Sequence, residues 1–512
     1  MKKKRTATPG GEQHNNATIW HNFTESRRAF YLLMFFAVVL IFNDLSVPGL
    51  ASYDDCYYAQ KGWEMLQGGD ILTPHYAGRE DFINPPLFFW MIALSFAAFG
   101  KTAFAAKFFT ALCGLLTILV TYQTGKMIKS RTLGWWAAFF LSTSYIFLKS
   151  SRRAMMDVPF MLFAAAALYF FVKGLDRSGA LEKNSKKTDD KTVWLCFILF
   201  GIFAGLAGLI KTVFIAFVIG IPFIFFFFYF RFTKRLLKPF IISILIALVV
   251  PGWWFAYEYI TYEAAFVRGF YDKMLAGHIQ GTEYTEKGPL GYAAEFGRHF
   301  WLWLPLTVWA IWYITRKKLL KKNPYIVLLF FQAFIPLFIL SFAGTKTIRY
   351  VLFTFPPMLI FTAFALIDHF PRDKIRLFFK ISVAFLALLS AYLIIRPIDL
   401  SNIRNIDYIK LGNAVQSGKV KIRNLNIYHY RGDYWKDNNP LLYYVGRQLR
   451  GVIADRRELK RLEKSKNNFF ILVKNKDLKD FPAARYRKIS EFQNRLLFRK
   501  LRKSKKAFLT GK

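Results

Sequence analysis

Long apolar runs, broken by short polar segments, extend over most of the chain. Most runs are about 17–22 residues long, the length that crosses the hydrocarbon core of a bilayer. Backbone polar groups in such runs find no water inside a bilayer and must be satisfied internally, which predicts α-helices. The predicted spans are Phe30–Val47, Ala103–Thr124, Leu133–Leu148, Asp157–Val172, Val193–Ile210, Thr212–Phe230, Phe240–Tyr257, Phe300–Ile314, Tyr325–Phe342, Tyr350–Ile367 and Leu377–Ile395.

The pattern predicts about eleven membrane-spanning helices, and about eleven to thirteen are compatible with it. Pro86–Gly100 is apolar but short and begins with a Pro-Pro pair. We expect this segment to lie at the membrane interface or to re-enter. Counting it as a span would move every later basic loop to the outer side, against the positive-inside rule.

Basic residues mark one side of the predicted membrane region. The short loops that contain Lys126, Arg235, Lys317 and Arg372 fall on the same side when the spans are counted, which predicts that this side is cytoplasmic. The polar loops 51–85 and 258–299 are then external. The predicted regions are a cytoplasmic tail over 1–28, a transmembrane domain over 29–396 and an external domain over 397–512.

The last quarter of the chain has shorter apolar patterns, which are typical of a small α/β domain. The predicted helices are Ile403–Gln416 and Leu441–Leu449, and the predicted strands are Asn424–Tyr430, Phe469–Val473 and Leu496–Phe498. The fold class predicted for the whole chain is therefore an α-helical polytopic membrane protein with a small external α/β domain.

Composition agrees with a membrane protein. Hydrophobic residues make up 54% of the chain and the mean hydropathy is +0.25. The formal net charge of +40 would suggest nucleic acid on a soluble protein. Here the positive residues lie mainly in loops and in the C-terminal tail, so we expect membrane lipids and not nucleic acid as their partners.

Carboxylates occur where predicted spans meet the external side. Asp54 and Asp55 follow the first span closely, and Asp157 begins a later one. An acid beside hydrocarbon is costly, which favours a functional role. Taken alone, Asp157 is better explained as the acid of a helix N-terminus, where the dipole favours a carboxylate. Together with Asp54 on the same face, it becomes a candidate second carboxylate.

Several motifs resemble, in order, those of bacterial GT-C membrane glycosyltransferases, the relatives of lipid A aminoarabinose transferases and protein O-mannosyltransferases. The resemblance covers most of the chain. The motifs are Tyr53-Asp54-Asp55-Cys56-Tyr57-Tyr58-Ala59, Gly69-Asp70, Pro85-Pro86-Leu87, Met156-Asp157-Val158-Pro159, Gly205-Leu206-Ala207 with Lys211, Pro251 with Trp253 and His278, Lys346 with Arg349-Tyr350 and Pro356, and Pro440-Leu441-Leu442-Tyr443-Tyr444.

The resemblance implies an inverting glycosyltransferase of a bacterial inner membrane. Its donor would be a sugar on a polyprenyl phosphate, and its acceptor a lipid, a glycan or a protein on the outer face. Asp54 would act as general base or would orient the acceptor, Asp157 would support it, and Asp55 is a further catalytic candidate. The residues expected to bind the donor phosphate are Lys211, Lys346 and Arg349.

The resemblance also implies a metal-compatible site at His278, which makes a divalent metal a candidate cofactor. The chain departs from the family pattern in two places. Ile83-Asn84 stands where Glu-Lys is common, which removes one expected metal ligand and one phosphate contact, and Tyr57 stands where Arg is common.

Two other classes fit a polytopic chain. A flippase or secondary transporter should carry polar residues in mid-span and show an internal repeat. Here the spans are almost wholly apolar, the acids lie near one membrane face, and the sequence shows no repeat. The third class is a non-catalytic membrane scaffold, which Asp54 and Asp157 disfavour.

Overall fold

The computed structural model describes residues 25–47, 49–180, 190–230, 234–272, 288, 290–344, 346–395, 405–422, 426–464 and 468–500. The N-terminal part is a bundle of helices, and the C-terminal part is a small domain built on a five-stranded sheet. The predicted class, an α-helical polytopic protein with a small C-terminal α/β domain, is confirmed.

Helical segments occupy most of each predicted span, and the chain is a multi-pass membrane protein. Within the described ranges, 6 helices are long and apolar enough to cross a membrane, and three shorter helices are also apolar. The helices of this part are α1 Arg27–Phe42, α2 Tyr53–Gly68, α3 Leu87–Phe99, α4 Ala103–Ile128, α5 Arg131–Ser142, α6 Tyr145–Ser151, α7 Asp157–Arg177, α8 Asp190–Gly208, α9 Ile215–Phe230, α10 Lys234–Phe270, α11 Gly291–His299, α12 Leu304–Arg316, α13 Leu319–Lys322, α14 Pro324–Leu340, α15 Phe355–His369 and α16 Arg372–Ile395.

One predicted span is two helices. The prediction of a continuous helix over Leu133–Leu148 was wrong, because α5 ends at Ser142 and α6 begins at Tyr145. Ser144 between them has φ −71° and ψ 118°, an extended conformation that cannot continue a helix. The hydroxyl of Thr143 donates to the carbonyl of Phe139 over 2.7 Å and satisfies a carbonyl at the end of α5.

The segment 51–85, predicted as a polar loop, contains a helix and a hairpin. Ser52 and Asp55 form a capping box at the start of α2, and Gly69 ends the helix in the left-handed conformation with φ 73°. The antiparallel strands β1 His75–Tyr76 and β2 Arg79–Glu80 follow. A capping signal is thus enough to start a helix here, although the segment has little apolar periodicity.

The apolar segment at Pro86–Gly100 forms α3, which packs against α2. A Cβ atom added at Gly62 of α2 would lie 2.4 Å from the Cγ2 atom of Ile92, so only glycine allows this approach. The segment 258–299, also predicted as a polar loop, is helical at both ends, because α10 continues to Phe270 and α11 covers Gly291–His299.

The C-terminal domain contains α17 Ile406–Gln416, β3 Asn426–Tyr430, α18 Tyr434–Val445, β4 Leu449–Ile453, α19 Arg456–Lys464, β5 Phe469–Lys474, β6 Tyr486–Glu491 and β7 Arg495–Lys500. The strand order is β4-β3-β5-β7-β6, and β3 is parallel to both of its neighbours. The predicted helix over Leu441–Leu449 was wrong at its end, because Gly446 ends α18 in the left-handed conformation and β4 begins at Leu449. The sequence analysis did not predict β4, α19 or β6.

Candidate active site

Asp54 forms an ion pair with Arg349. Asp54 lies in the first turn of α2, and its Oδ2 atom lies 3.5 Å from the Nη2 atom of Arg349. Arg349 belongs to the 3₁₀ turn Ile348–Thr354, which leads into α15, and its Nη1 atom donates to the sulfur of Met155 over 2.8 Å. The two side chains are 21% and 23% exposed, so the pair is partly accessible to solvent.

A second ion pair joins Asp157 to Lys211. Asp157 begins α7, and its Oδ1 atom accepts a hydrogen bond from the Nζ atom of Lys211 over 2.6 Å. The Nζ atom also lies 5.0 Å from the ring centre of Tyr350 and 5.2 Å from that of Phe214. Both charged side chains are almost completely buried, which strengthens their attraction.

The two ion pairs share one electrostatic environment. The charge of Asp157 acts on Asp54, and Arg349 interacts with both carboxylates. The structure therefore brings together four of the residues that the sequence predicted for catalysis and phosphate binding. They come from α2, the start of α7, the segment after α8 and the segment before α15.

Tyr58 and Tyr350 complete this cluster. Both hydroxyl groups lie within electrostatic range of Arg349, and Tyr58 also interacts with Asp54 and Asp157. The sequence analysis gave neither residue a role. Tyr58 lies one helical turn after Asp54, and this spacing puts the two side chains on one face of α2, which could have indicated it.

The pKa of Asp54 is raised above its ordinary value of 3.8. Burial is the largest cause, since it penalises the charged form, and the negative charges of Asp55 and Asp157 act in the same direction. The positive charges of Arg349 and Arg153 oppose the shift. A carboxylate with a raised pKa is a stronger base, which suits the removal of a proton from a hydroxyl group.

Asp55 has a different environment from Asp54. Its side chain is fully buried, and its Oδ2 atom accepts hydrogen bonds from the backbone and hydroxyl of Ser52 over 2.9 and 3.1 Å. The Nε atom of Arg153 donates to both carboxylate oxygens at 3.2 Å. These contacts favour a structural role, and the catalytic role of Asp55 stays a prediction.

The neighbouring Arg152 connects the segment between α6 and α7 to the C-terminal end of α1 by hydrogen bonds. Its guanidinium donates to the carbonyl of Leu40 over 3.0 Å and to that of Asn43 over 2.6 Å. Carbonyl groups at a helix C-terminus lack intrahelical donors, and a cation there is favoured. The sequence analysis missed both arginines, although a basic pair in a short loop predicted to be external is unusual.

Lys346 is buried, and its Nζ atom donates to the carbonyl of Ala343 over 2.6 Å. Its role as a phosphate ligand stays a prediction. His278 lies outside the described residues. Among the residues that the structure describes, no three His, Cys, Asp or Glu side chains come together as a metal site.

Comparison with known sequences finds one family model and several proteins that are similar to this chain. Residues 26–263 match the family of dolichyl-phosphate-mannose-protein mannosyltransferases. An uncharacterised protein of Aquifex aeolicus is 27% identical over 339 residues, which cover 66% of this chain and 63% of that protein. The undecaprenyl phosphate-α-4-amino-4-deoxy-L-arabinose arabinosyl transferase of Pseudomonas savastanoi is 25% identical over 359 residues, 67% of this chain and 61% of the relative. The matches thus span less than two thirds of the relatives' length.

Comparison with solved structures extends the likeness to almost the whole fold. The crystal structure of ArnT from Cupriavidus metallidurans bound to undecaprenyl phosphate has a TM-score of 0.70 and 14% identity, and the match covers 92% of this chain and 97% of that one. The oligosaccharyltransferase AglB from Archaeoglobus fulgidus, in complex with an inhibitory peptide and a dolichol-phosphate, has a TM-score of 0.56, 13% identity and coverages of 88% and 70%. At these identities the likeness concerns the fold.

Proposed function

We propose that this chain is a GT-C glycosyltransferase, similar to the O-mannosyltransferases and aminoarabinose transferases, and that it transfers a sugar from a polyprenyl-phosphate donor to a lipid, glycan or protein acceptor. The observation that carries the proposal is the pairing of Asp54 with Arg349 beside the pairing of Asp157 with Lys211. Acids and cations from four distant segments meet at the ends of apolar helices, where isolated charges are costly.

The cations would bind the donor phosphate. A guanidinium offers a planar pair of donors that matches a phosphate, and an ammonium adds a point charge. Arg349 lies 3.5 Å from Asp54, a long and weak pairing that the donor's phosphodiester anion can displace. Lys211 is held more tightly by Asp157, at 2.6 Å, and would support the phosphate while keeping its partner.

Displacement by the donor would free Asp54 for the acceptor. The acceptor hydroxyl oxygen attacks the anomeric carbon, and its proton passes to the carboxylate of Asp54. The bond between the anomeric carbon and the phosphate oxygen breaks, and polyprenyl phosphate leaves with the electron pair. Attack opposite the leaving group inverts the anomeric centre. Arg349 and Lys211 stabilise the charge that develops on the leaving phosphate.

The proposed site faces the outer side of a bacterial inner membrane. Residues 1–28 form the cytoplasmic tail, residues 29–396 the transmembrane domain, and residues 397–512 an external domain. The support is the charge pattern, since the short loops with Lys126, Arg235, Lys317 and Arg372 then share the cytoplasmic side. Both ion pairs lie at the opposite helix ends in this arrangement.

A divalent metal near His278 is part of the family's expected chemistry. No step proposed above passes through a metal, because the two cations already neutralise the leaving phosphate. The metal role of His278 is tested by measuring bound zinc, manganese and magnesium in purified wild-type and His278→Ala protein. Loss of a stoichiometric metal from the variant supports the role, and equal contents contradict it.

Mass spectrometry tests the proposed activity. Glycolipids, polysaccharides and glycoproteins are compared between cells that produce the wild-type chain, the Asp54→Asn variant or no chain. We expect a sugar modification that appears only with the wild type. Asp373→Asn is the matched control, because Asp373 is 88% exposed and lies at the other end of its helix from the external domain. Identical profiles in all samples would contradict the proposal.

A further inference from the structure

The C-terminal domain contacts the start of α2 directly, through residues that the proposed transfer step does not use. Leu50 stands shortly before the capping Ser52 and the proposed base Asp54. Its backbone N–H donates to the hydroxyl of Tyr444 over 2.7 Å, and its carbonyl accepts from the side-chain amide of Asn405 over 3.0 Å. Both backbone polar groups of Leu50 are therefore bonded to the C-terminal domain.

Asn405 also contacts α2 after Asp54. The same side-chain amide donates to the Sγ atom of Cys56 over 3.4 Å. Asn405 and Cys56 are both buried, so water does not compete for this contact. The turn that carries Asp54 is thus held on both sides of the carboxylate by one side chain of the C-terminal domain.

Tyr444 joins the two parts of the protein. It packs against the apolar core of the helical bundle and also against the core of the C-terminal domain. It ends the motif Pro440-Leu441-Leu442-Tyr443-Tyr444, to which no step of the proposed transfer gives a role. The hydrogen bond to Leu50 gives the last residue of this motif a contact with the catalytic helix.

Two glycines allow these close contacts. Gly49 has φ +105°, which side-chain-bearing residues rarely adopt, and a Cβ atom there would lie 3.0 Å from the hydroxyl oxygen of Tyr444 and 2.7 Å from the Cδ1 atom of Ile409. A Cβ atom at Gly412 of α17 would lie 2.7 Å from the carbonyl oxygen of Tyr444. A larger residue at either position would push Tyr444 away from α2.

The helical bundle holds the same turn from its own side, through the ion pair of Asp55 with Arg153. One such contact leaves the start of a helix free to tilt, whereas contacts on two sides fix its direction. The direction matters, because a general base must lie within hydrogen-bond distance of the proton that it removes. A displacement of about 1 Å at a catalytic group can reduce a rate about 10²-fold.

From these contacts we propose that the C-terminal domain positions the catalytic carboxylate, with Tyr444 and Asn405 as positioning residues for Asp54. The proposal rests on the proposed transferase function and adds to it a role for the C-terminal domain. Neither residue contacts a reacting atom. Both act through the backbone of Leu50 and through α2.

Tyr444→Phe tests the proposal, because it removes the acceptor of the Leu50 N–H and keeps the ring in place. We expect kcat for transfer to fall by about 10–100-fold. Binding of undecaprenyl phosphate should not change, because Arg349 and Lys211 lie on other elements. Asn405→Asp, which keeps the size of the side chain and removes its amide donor, should lower kcat by a similar factor.

Tyr443→Phe is the matched control. Tyr443 is the neighbouring residue of α18, it is buried, and within the described ranges its hydroxyl has no hydrogen-bond partner. The control removes the same atom from an adjacent ring without the loss of a contact to α2. Equal losses of kcat in Tyr443→Phe and Tyr444→Phe would overturn the proposal, because they would reflect the packing of the domain alone.

A double-mutant cycle separates positioning from a general structural effect. If Tyr444 acts through Asp54, its replacement has little left to disturb once the carboxylate is gone. Tyr444→Phe should then change the residual rate of the Asp54→Asn protein by less than about twofold. A further fall of about tenfold or more in that background would contradict the positioning role.

Hydrogen–deuterium exchange of the full chain in lipid nanodiscs detects the contact without any activity. We expect faster exchange of the amides of residues 50–56 in Tyr444→Phe and Asn405→Asp, and wild-type exchange in Tyr443→Phe. Unchanged exchange in the first two variants, or faster exchange with normal transfer, overturns the proposal. Faster exchange in a chain whose wild type transfers no sugar would support the contact and contradict the proposed function.

Discussion

The Nζ atom of Lys211 lies 2.6 Å from the Oδ1 atom of Asp157, while the guanidinium of Arg349 lies 3.5 Å from Asp54. The first pair is short and buried, and the second is longer and partly exposed. In the proposed mechanism the two pairs therefore have different roles. Asp157 and Lys211 form a fixed support, whereas Arg349 exchanges its carboxylate partner for the donor phosphate.

Donor binding should depend on both cations. We expect Arg349→Ala and Lys211→Ala each to weaken the binding of undecaprenyl phosphate by about 10–100-fold, since a charge-assisted hydrogen bond contributes about 1.5–3 kcal/mol. Calorimetry in nanodiscs measures this change. Lys129→Ala is the control, because Lys129 pairs with Asp368 at 3.3 Å at the other end of the bundle. Equal loss in the control would contradict a specific phosphate site.

The rate of transfer should rise with pH through the pKa of Asp54. A general base works only when deprotonated, and burial raises the pKa of Asp54 above 3.8. Arg349 lowers this pKa, so Arg349→Gln should move the acidic limb of the kcat/KM profile to higher pH. If the acidic limb of the kcat/KM profile lies at the same pH in Arg349→Gln and in the wild type, a group other than Asp54 titrates there.

Loss of Asp55 should affect folding more than chemistry. Asp55 and Arg153 form a buried pair, and removal of one partner from such a pair costs about 3–5 kcal/mol. Asp55→Asn should therefore lower the Tm of the protein, while Asp54→Asn leaves it nearly unchanged. The contrary result, an Asp55→Asn protein with normal Tm and no transfer, would restore a catalytic role for Asp55.

The C-terminal domain should lose stability below pH 6.5. Burial lowers the pKa of His429 from 6.5 to about 4, with the charges of Arg495 and Lys474 adding to the effect and Asp437 opposing it. Between these two values the unfolded chain binds a proton that the folded domain does not, so stability falls as pH falls, by up to about 3 kcal/mol. His429→Gln should flatten this dependence in thermal unfolding between pH 7 and pH 4.

The membrane orientation is testable with single cysteines. The natural cysteines Cys56, Cys113 and Cys196 are buried free thiols and should react slowly. A cysteine at Arg79 should react with an impermeant maleimide added outside spheroplasts, and one at Lys317 only after the membrane is opened. Labelling of both from the same side would overturn the proposed topology.

The apolar pattern was sufficient to predict the membrane helices, because a run that crosses a bilayer must be helical. It could not predict the break after Ser142 or the helix α2 in the segment 51–85. The break lies at the extended backbone of Ser144, beside Thr143, whose hydroxyl bonds the carbonyl of Phe139, and α2 begins at the capping Ser52. Both features depend on local backbone geometry and hydrogen bonding and not on hydrophobic burial.

The site residues were partly predictable for a similar reason. Asp54, Asp157, Lys211 and Arg349 stand at helix ends, and the order of spans together with the family resemblance indicated one common face. The pairing of each acid with a particular cation depends on how the helices pack. The spacing of these residues in the sequence does not predict that pairing. The different environments of Asp54 and Asp55 likewise arise because Arg153 pairs with Asp55. The position of Arg153 beside Asp55 is known only from the three-dimensional structure.

The rate of sugar transfer by the Asp54→Asn protein tests the central claim most directly. Purified wild-type, Asp54→Asn and Asp373→Asn proteins are given the polyprenyl-phosphate sugar and the acceptor identified in cells, and single-turnover rates are compared. General-base catalysis contributes about 10²–10⁴-fold. The account predicts a fall of that size for Asp54→Asn, with donor binding retained and with the control unchanged. Transfer at the wild-type rate by Asp54→Asn would contradict it.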